Sequence, residues 1–188
     1  MSETAYLTNQ LLIAMPTLGD ENFSHSVTLI CDHSASGALG LILNKPLQMH
    51  LGEIFQQLQI DIAGGTNASA RPVLRGGPVQ GDRGFVVHRA GGQWESTLKV
   101  SDAIHVTTSR DVLRAIARGE GPEDAFLVLG YAGWESGQLE EEIRANAWIT
   151  APVEPKVVFE VPFEKRWSAA AELLGVELSR ISPVSGNA

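Results

Sequence analysis

Apolar and polar residues alternate with a period of two in the first part of the chain. Over residues 26–32, Val27, Leu29 and Cys31 occupy one face of the pattern, and a period of two is the side-chain period of a β-strand. A second apolar run covers residues 38–44 and follows a turn of small residues. The two segments together predict a β-hairpin.

Other segments show the helical period of 3.6 residues or short apolar runs bounded by turn residues. Helices are predicted over residues 51–58, 109–118, 136–145 and 162–174. Further strands are predicted over residues 73–75, 84–89, 96–100, 104–108, 126–131, 148–151 and 156–161, with a loop over residues 61–71. Strands outnumber helices and do not alternate regularly with them, so the pattern favours the α+β class.

Length and composition predict one folded domain. The chain has 188 residues, of which 44% are hydrophobic and 19% are charged, and these fractions differ from those of disordered chains. We predict a single domain over residues 1–182 and a disordered tail over residues 183–188.

Charge and cysteine content narrow the classes of function. A net charge of −8 disfavours direct nucleic-acid binding and attachment to an anionic membrane, since both need clustered Lys and Arg. The single cysteine, Cys31, excludes an internal disulfide and a cysteine-rich metal site. The chain shows no signal-peptide pattern and no apolar run of about 18 residues. These features predict a cytoplasmic protein.

The sequence lacks the standard motifs for phosphate binding, dinucleotide binding, zinc proteolysis and serine hydrolysis. Ser136 lies one position away from the place of a nucleophile in an elbow motif, and a serine before a helix is more often its N-cap. Cys31 shares its face with Val27 and Leu29, so we interpret it as a packed thiol. A redox-responsive thiol is the alternative.

Two further groups of residues have both a functional and a structural interpretation. Three histidines lie in strand-like segments with no metal-ligand spacing, which favours hydrogen-bonded structural roles over a metal site. They are His25, His88 and His105. Three arginines repeat every four residues on one helix face, where they either bind an anionic group or are solvated. They are Arg110, Arg114 and Arg118. No metal and no cofactor is predicted.

The most informative segment covers residues 127–148, where an apolar strand leads into Gly-Tyr-Ala-Gly-Trp and then into a helix. We interpret residues 130–134 as a turn whose glycines let a ligand approach the main chain. Its aromatic rings, Tyr131 and Trp134, offer flat stacking surfaces. The alternative is a tight connection whose aromatic residues cap the core.

Several segments together resemble the YqgE/AlgH family of bacterial proteins. They are LLIAMP at residues 11–16, GALGLILNKP at 37–46, GGPV at 76–79, RGFVVH at 83–88 and LGYAGWESGQLEEEIRANAW at 129–148. The resemblance implies an α+β fold with a bulged, partly barrel-like mixed β-sheet flanked by about four helices. It implies no established enzymatic activity, and it brings the label of a transcriptional regulator.

Our leading hypothesis is a non-enzymatic cytoplasmic module that binds a small ligand or a protein partner in a cleft. The cleft is predicted where the turns at residues 76–83 and 130–134 meet the end of the 37–44 hairpin. Arg83 is the predicted anion contact. Six residues are predicted to line the cleft: Asn44, Arg83, His88, Tyr131, Trp134 and Gln138.

Two alternative functions stay open at the level of the sequence. The first is a hydrolase in which His88 acts as the general base and either Asp82 or Asp32 orients it. The second is a transcriptional regulator of the AlgH type. Such a regulator would act indirectly, because the chain shows no helix-turn-helix pattern and no basic face.

Overall fold

The computed structural model describes residues 6–175 of the chain. The predicted tail over residues 183–188 lies outside the described residues. The strands are β1 Gln10–Ala14, β2 Val27–Ser34, β3 Gly37–Ile42, β4 Pro46–His50, β5 Pro72–Arg75, β6 Val79–Arg89, β7 Thr97–Lys99, β8 Ile104–Thr107, β9 Ala125–Glu135 and β10 Trp148–Pro152. The helices are α1 Leu51–Gln57, α2 Arg110–Ala117, α3 Gln138–Arg144, α4 Pro155–Phe159 and α5 Arg166–Glu172, with 3₁₀ helices at Ala68–Ala70 and Phe163–Lys165.

The strands form one curled sheet that resembles half of a barrel. Its main path runs β10-β1-β2-β3-β9-β6-β8-β7, and β5 joins β4 to β9 beside this path. The pairing of β5 with β9 is parallel, whereas β9 pairs with β6 and β3 in antiparallel fashion. The predicted α+β class and the bulged, mixed, partly barrel-like sheet are confirmed, with five α-helices in the described range where about four were predicted.

Strand β9 connects the two parts of this sheet. Its first half pairs with β6 and β5, and its second half pairs with β3. The change falls at Gly130, whose φ is +78°. A Cβ at Gly130 would lie 2.8 Å from the carbonyl oxygen of Gly77. Two backbone segments of the chain are therefore in direct contact here. The predicted turn over residues 130–134 is wrong, because these residues continue the strand across the junction.

Strand β6 carries the bulge that the family resemblance implies. Val79 pairs with Tyr131 and Gly84 pairs with Leu129, so β6 advances five positions while β9 advances two. The extra residues loop out of the ladder, and Gln80 takes a φ of +44° to allow this. A wide bulge of this kind re-aims side chains near the rim of a sheet. Here it carries Asp82 to the sheet surface.

Side chains on the strands alternate between two layers, because successive residues point to opposite faces. The inner face of the curled sheet holds the largest core cluster, which α4 and α5 close. On the outer face, α3 covers Leu12, Ile30 and Trp134. Helices α1 and α2 also pack on the outer face, where they cover Val86 of β6 and Leu127 in the first half of β9.

Two local predictions are wrong. Residues 156–161 were predicted as a strand, but α4 occupies Pro155–Phe159, since Pro155 suits a first helical turn and the side chain of Glu154 accepts a hydrogen bond from the Lys156 N–H. Strands β1 and β4 were not predicted. A proline is tolerated as the first residue of a strand, and Pro46 occupies that place in β4.

Candidate functional site

The six residues predicted to line one cleft do not line a common one. Arg83 lies beside Tyr131, and Trp134 and Gln138 both hydrogen-bond to Glu142, whereas Asn44 and His88 lie apart from these groups. Asn44 holds the end of the β2–β3 hairpin, since its side chain donates to the His25 carbonyl at 2.8 Å and accepts from the Val27 N–H at 3.0 Å. Gln138 is exposed at the start of α3 and accepts a hydrogen bond from the Glu135 N–H at 2.9 Å. Both amides therefore make connections within the fold.

Arg83 and Tyr131 do lie together. The guanidinium of Arg83 lies 5.1 Å from the ring centroid of Phe85 and 5.7 Å from that of Tyr131. The two rings meet edge to face at 6.1 Å. A cation over an aromatic face is attracted by the ring quadrupole, so Arg83 is held at the surface beside the bulge. Its role as an anion contact stays a prediction.

Trp134 lies on the other side of the sheet from this cluster. It is 6% exposed and packs edge to face against Trp148, with the ring centroids 6.2 Å apart. Phe23 contacts both indoles. The N–H groups of Trp134 and Trp148 donate to the same Glu142 oxygen at 3.2 and 3.3 Å. The ring therefore belongs to a packed aromatic cluster under α3.

His88 is fully buried in the sheet. Its Nδ1 lies 2.8 Å from the Arg89 carbonyl, which only accepts, so Nδ1 carries the proton. Its Nε2 then accepts from the Thr107 hydroxyl at 2.7 Å, and Thr107 accepts from Thr97 at 2.9 Å. Desolvation lowers the pKa of His88 below its ordinary value, against an opposing effect of the Arg89 hydrogen bond. The neutral ring is thus part of a chain of hydrogen bonds that runs from Thr97 through Thr107 and His88 to the Arg89 carbonyl.

This environment lacks the carboxylate that the hydrolase hypothesis names. Within residues 6–175, the His88 ring hydrogen-bonds to the Arg89 carbonyl and to the Thr107 hydroxyl, and neither Asp82 nor Asp32 is bonded to it. His88 and Thr107 are both fully buried. A general base needs access to a substrate proton, and the buried ring does not have that access.

Cys31 is packed, as the first of its two interpretations predicted. It is 2% exposed, and its thiol points to the Leu29 carbonyl at 3.7 Å. Burial, with a smaller effect of the Asp32 charge, raises the pKa of Cys31 to about 12. The thiol is therefore protonated at neutral pH, whereas redox chemistry proceeds through the thiolate.

One buried pair was missed by the sequence analysis. His33 accepts a hydrogen bond from the Leu7 N–H at Nδ1, at 2.9 Å, and its Nε2 donates to Glu140. The two contacts join segments that are 26 and 107 residues away from His33, which no local pattern indicates. Because both ring nitrogens are occupied, His33 links the N-terminal segment to α3 and has no free nitrogen for catalysis.

A concavity with a mostly apolar lining lies elsewhere, between α1, α2 and the outer face of β6 and β9. We call it the α1/α2 groove, a concavity of about 280 Å³. Apolar side chains form its floor: Met49, Ile54, Leu58, Val86, Leu113, Leu127 and Leu129. Polar residues form its rim: Gln57, Asp82, Thr108, Ser109 and Arg110. The fully buried Thr107 also lines the groove. Its lining is completed by Gly84 and includes none of the six predicted residues.

The groove is lined by two charged side chains, Asp82 on β6 and Arg110 at the start of α2. Asp111 accepts hydrogen bonds from the Ser109 hydroxyl at 2.5 Å and from the Val112 and Glu95 N–H groups at 3.0 and 2.9 Å. Desolvation raises the pKa of Asp111, but these bonds together outweigh it and lower the pKa. Asp111 is thus committed to the helix start, while Asp82 and Arg110 form no ion pair within 4.0 Å in the described chain.

The parts of this groove were partly visible in the sequence. Helices over residues 51–58 and 109–118 were predicted, and Arg110 was noted as one of three arginines on a helix face. Both helices pack on the same face of β6 and β9, and no local sequence pattern indicated this. The groove exists because of that packing.

Two findings concern the whole of the described range. Across residues 6–175, no three His, Cys, Asp or Glu side chains are grouped so as to hold a metal ion. The same range contains no helix long and apolar enough to cross a membrane.

Comparison with known proteins places this architecture in a family. The model of the AlgH-like family matches residues 11–179. The chain belongs to the AlgH-like family. A UPF0301 protein of Thioalkalivibrio sulfidiphilus is 50% identical over 188 residues, which is 100% of each chain. Another from Legionella pneumophila strain Lens is 47% identical over the same length.

Solved structures support the same assignment. The solution structure of the AlgH protein from Pseudomonas aeruginosa is 45% identical, covers 100% of both chains and has a TM-score of 0.79. A crystal structure of a Corynebacterium diphtheriae protein is 22% identical, with a TM-score of 0.70 over 90% of this chain and 87% of that one. The second similarity shows the fold alone. None of these names states an activity for its protein.

Proposed function

We propose that this member of the AlgH-like family is a non-enzymatic module that binds a small ligand with an apolar body in the α1/α2 groove. The observation that carries the proposal is the composition of the groove, an apolar floor under a rim of convergent polar groups. Ligand sites in proteins are typically mostly apolar concavities of about 300–1,000 Å³ with a few placed polar groups. At about 280 Å³, this groove suits a ligand at the small end of that range.

The lining of the groove favours binding over catalysis. It contains the carboxylate of Asp82 and the guanidinium of Arg110, but no histidine and no cysteine. The hydroxyl of Thr107 is hydrogen-bonded to the buried His88, and Ser109 donates to Asp111. A nucleophile needs an adjacent base to activate it and a path to its substrate. Thr107 has His88 beside it as a base, but both side chains are fully buried, so a substrate does not reach them. The Ser109 hydroxyl is already bonded to Asp111.

An NMR titration with neutral fragments tests this proposal. A ¹⁵N-labelled sample is titrated with neutral monocyclic aromatic and branched aliphatic compounds, so that apolar contact is probed without charge. We expect shifts in the amides of residues 54–58, 84–86 and 107–113 that saturate with fragment concentration. Shifts scattered over the surface, or no binding by any fragment, would contradict the proposal.

Two glycine variants supply the blocking mutant and its matched control. A Cβ at Gly84 would lie 3.3 Å from Leu127 Cδ1 and 3.8 Å from Leu129 Cδ2, so Gly84→Val extends into the floor of the groove. A Cβ at Gly81 meets no atom within 4 Å, so Gly81→Val adds the same side chain to open space on the same bulge. We expect fragment binding to be lost in the first variant and kept in the second. Equal binding by both would show that the ligand lies elsewhere.

Two further inferences concern the cellular location of the protein and its regulatory role. We infer that the protein acts in the cytoplasm, which is supported by a single cysteine that is free and buried. A regulatory role would be indirect, through the bound ligand or a protein partner. The net charge of −8 argues against direct contact with nucleic acid, since such contact depends on neutralising phosphates.

A further inference from the structure

The exposed face of α2 carries a row of cations that the α1/α2 groove does not fully use. Arg110, Arg114 and Arg118 follow one another at intervals of four residues, and all three are exposed. The opposite face of α2 is buried against the sheet and α1. We call the three residues the arginine row.

One ion pair within 4.0 Å in the described chain involves this row. Arg110 and Arg114 make no ion pair within 4.0 Å among residues 6–175. Arg118 contacts Glu120 at 3.7 Å, but both side chains are mostly exposed, and a surface pair of this kind is weak. A protein of net charge −8 therefore presents three adjacent cations that are available to a partner.

A second concavity continues the groove along the row. It has a volume of about 400 Å³ and is lined by Leu58, Gln59, Ile60, Asp61, Arg114 and Arg118. Leu58 lines both concavities, so they lie next to one another at this residue, directly after α1. We call the two neighbouring concavities the trough. Apolar side chains lie in its floor, and the arginine row lines one edge.

We propose that this trough docks an extended, acidic segment of a partner protein. Residues four apart on a helix are separated by about 6 Å along its axis. Alternate residues of an extended chain are about 6.6–6.8 Å apart. Carboxylates at every second position of the segment therefore match the spacing of the row. The residues between them point away from the row, toward the apolar floor that includes Ile54 and Leu58.

The remaining charges in the trough favour a peptide over other polyanions. Asp82 lines the first concavity and Asp61 the second, and both repel a continuous run of negative charge. A duplex nucleic acid offers one charge per about 1.7 Å of axis, whereas the row offers three cations. An alternating segment keeps its carboxylates on the side of α2 and meets the apolar floor with uncharged side chains.

The test uses a fluorescein-labelled peptide with the sequence Glu-Leu-Glu-Leu-Glu-Leu, followed by fluorescence anisotropy at low ionic strength. The Arg110→Ala/Arg114→Ala double variant removes two cations of the row. Its matched control is Lys99→Ala/Arg144→Ala, which removes two exposed cations elsewhere and leaves the same net charge. Circular dichroism checks that each variant is folded. If the alanine double variant does not fold, Arg114→Glu replaces it.

We expect the row variant to weaken peptide binding about tenfold, which corresponds to about 1.4 kcal/mol, and the control to change it less than twofold. A peptide with Gln in place of Glu should bind about tenfold more weakly to the wild type. Added salt should weaken binding of the Glu peptide. Amides of α2 and residues 58–61 should shift when the peptide is added.

Several results would overturn this inference. They are the absence of binding at millimolar peptide, equal loss in the two double variants, and equal affinity for the Glu and Gln peptides. Binding of a DNA duplex that is lost in the row variant, with no binding of the peptide, would assign the row to nucleic acid. The inference shares the groove of the proposed function but not its test. Fragment binding that is lost in Gly84→Val, without peptide binding, would leave the proposed function standing and refute this one.

Discussion

Gly130 gives the sharpest test of how the two parts of the sheet are joined. Its φ of +78° lies in the left-handed region, which costs an L-residue about 1–2 kcal/mol. A Cβ there would also lie 2.8 Å from the Gly77 oxygen and 3.1 Å from the Val79 oxygen, and overpacking costs a further ~1–3 kcal/mol. We therefore expect Gly130→Ala to lower the free energy of unfolding by about 2–5 kcal/mol.

Gly137 is a matched control for this substitution. Its φ is +79°, but a Cβ there meets no atom within 4 Å. Gly137→Ala should therefore cost only the backbone contribution of about 1–2 kcal/mol.

The measurement is urea unfolding followed by tryptophan fluorescence. Thermal unfolding provides a second measure, in which each kcal/mol corresponds to about 2–4 °C for a domain of this size. A contrary result would be that the free energies of unfolding of the two variants fall by the same amount, within about 0.5 kcal/mol. In that case the contact between the backbone at Gly130 and the backbone at Gly77 does not exclude a side chain at position 130. The description of β9 as a tightly packed bridge would then be refuted.

Three further predictions concern buried side chains. Because burial lowers the pKa of His88 below 6.5, its contribution to stability is present above that pH and is lost as the pH falls. His88→Gln should flatten the loss of unfolding free energy between about pH 7 and about pH 5, and an unchanged slope would contradict this. Glu142→Ala removes the acceptor shared by two indoles and should cost about 1–3 kcal/mol in urea unfolding. The exposed control Glu141→Ala should cost less than about 0.5 kcal/mol, and equal losses would argue against the shared acceptor. The thiol of Cys31 should react with a disulfide reagent only in denaturing urea, and rapid reaction of the native protein would show that it is accessible.

Local patterns predicted most elements of the fold. The hairpin over residues 26–44 and the helices near residues 51–58 and 109–118 were found because their periods are set within a few residues of one another. The errors came from positions where tertiary pairing decides the outcome. Strand β9 continues through Gly130 because β3 and β6 hold its two halves, and neither strand is adjacent to it in sequence.

The candidate site was harder to predict for the same reason. Glycine and aromatic residues at 130–134 are compatible with a ligand site and with a crowded junction, since both need close approach to the main chain. The structure shows that the backbone at Gly77 occupies the space beside Gly130. Trp134 likewise packs on Trp148, and its partner lies in a strand whose proximity the sequence does not reveal.

The conspicuous motifs of the chain serve the sheet rather than the α1/α2 groove. The glycines join the two parts of the sheet, and Trp134 packs under α3. The side chains of the groove are individually ordinary leucines, threonines and isolated charges. They line one concavity because two short helices pack on one outer face and the bulge of β6 brings Asp82 over that face. The ligand that we propose would contact rim residues such as Arg110, which lie away from the sheet junction. Rim substitutions should therefore alter binding more than stability, whereas substitutions at Gly130 should do the reverse.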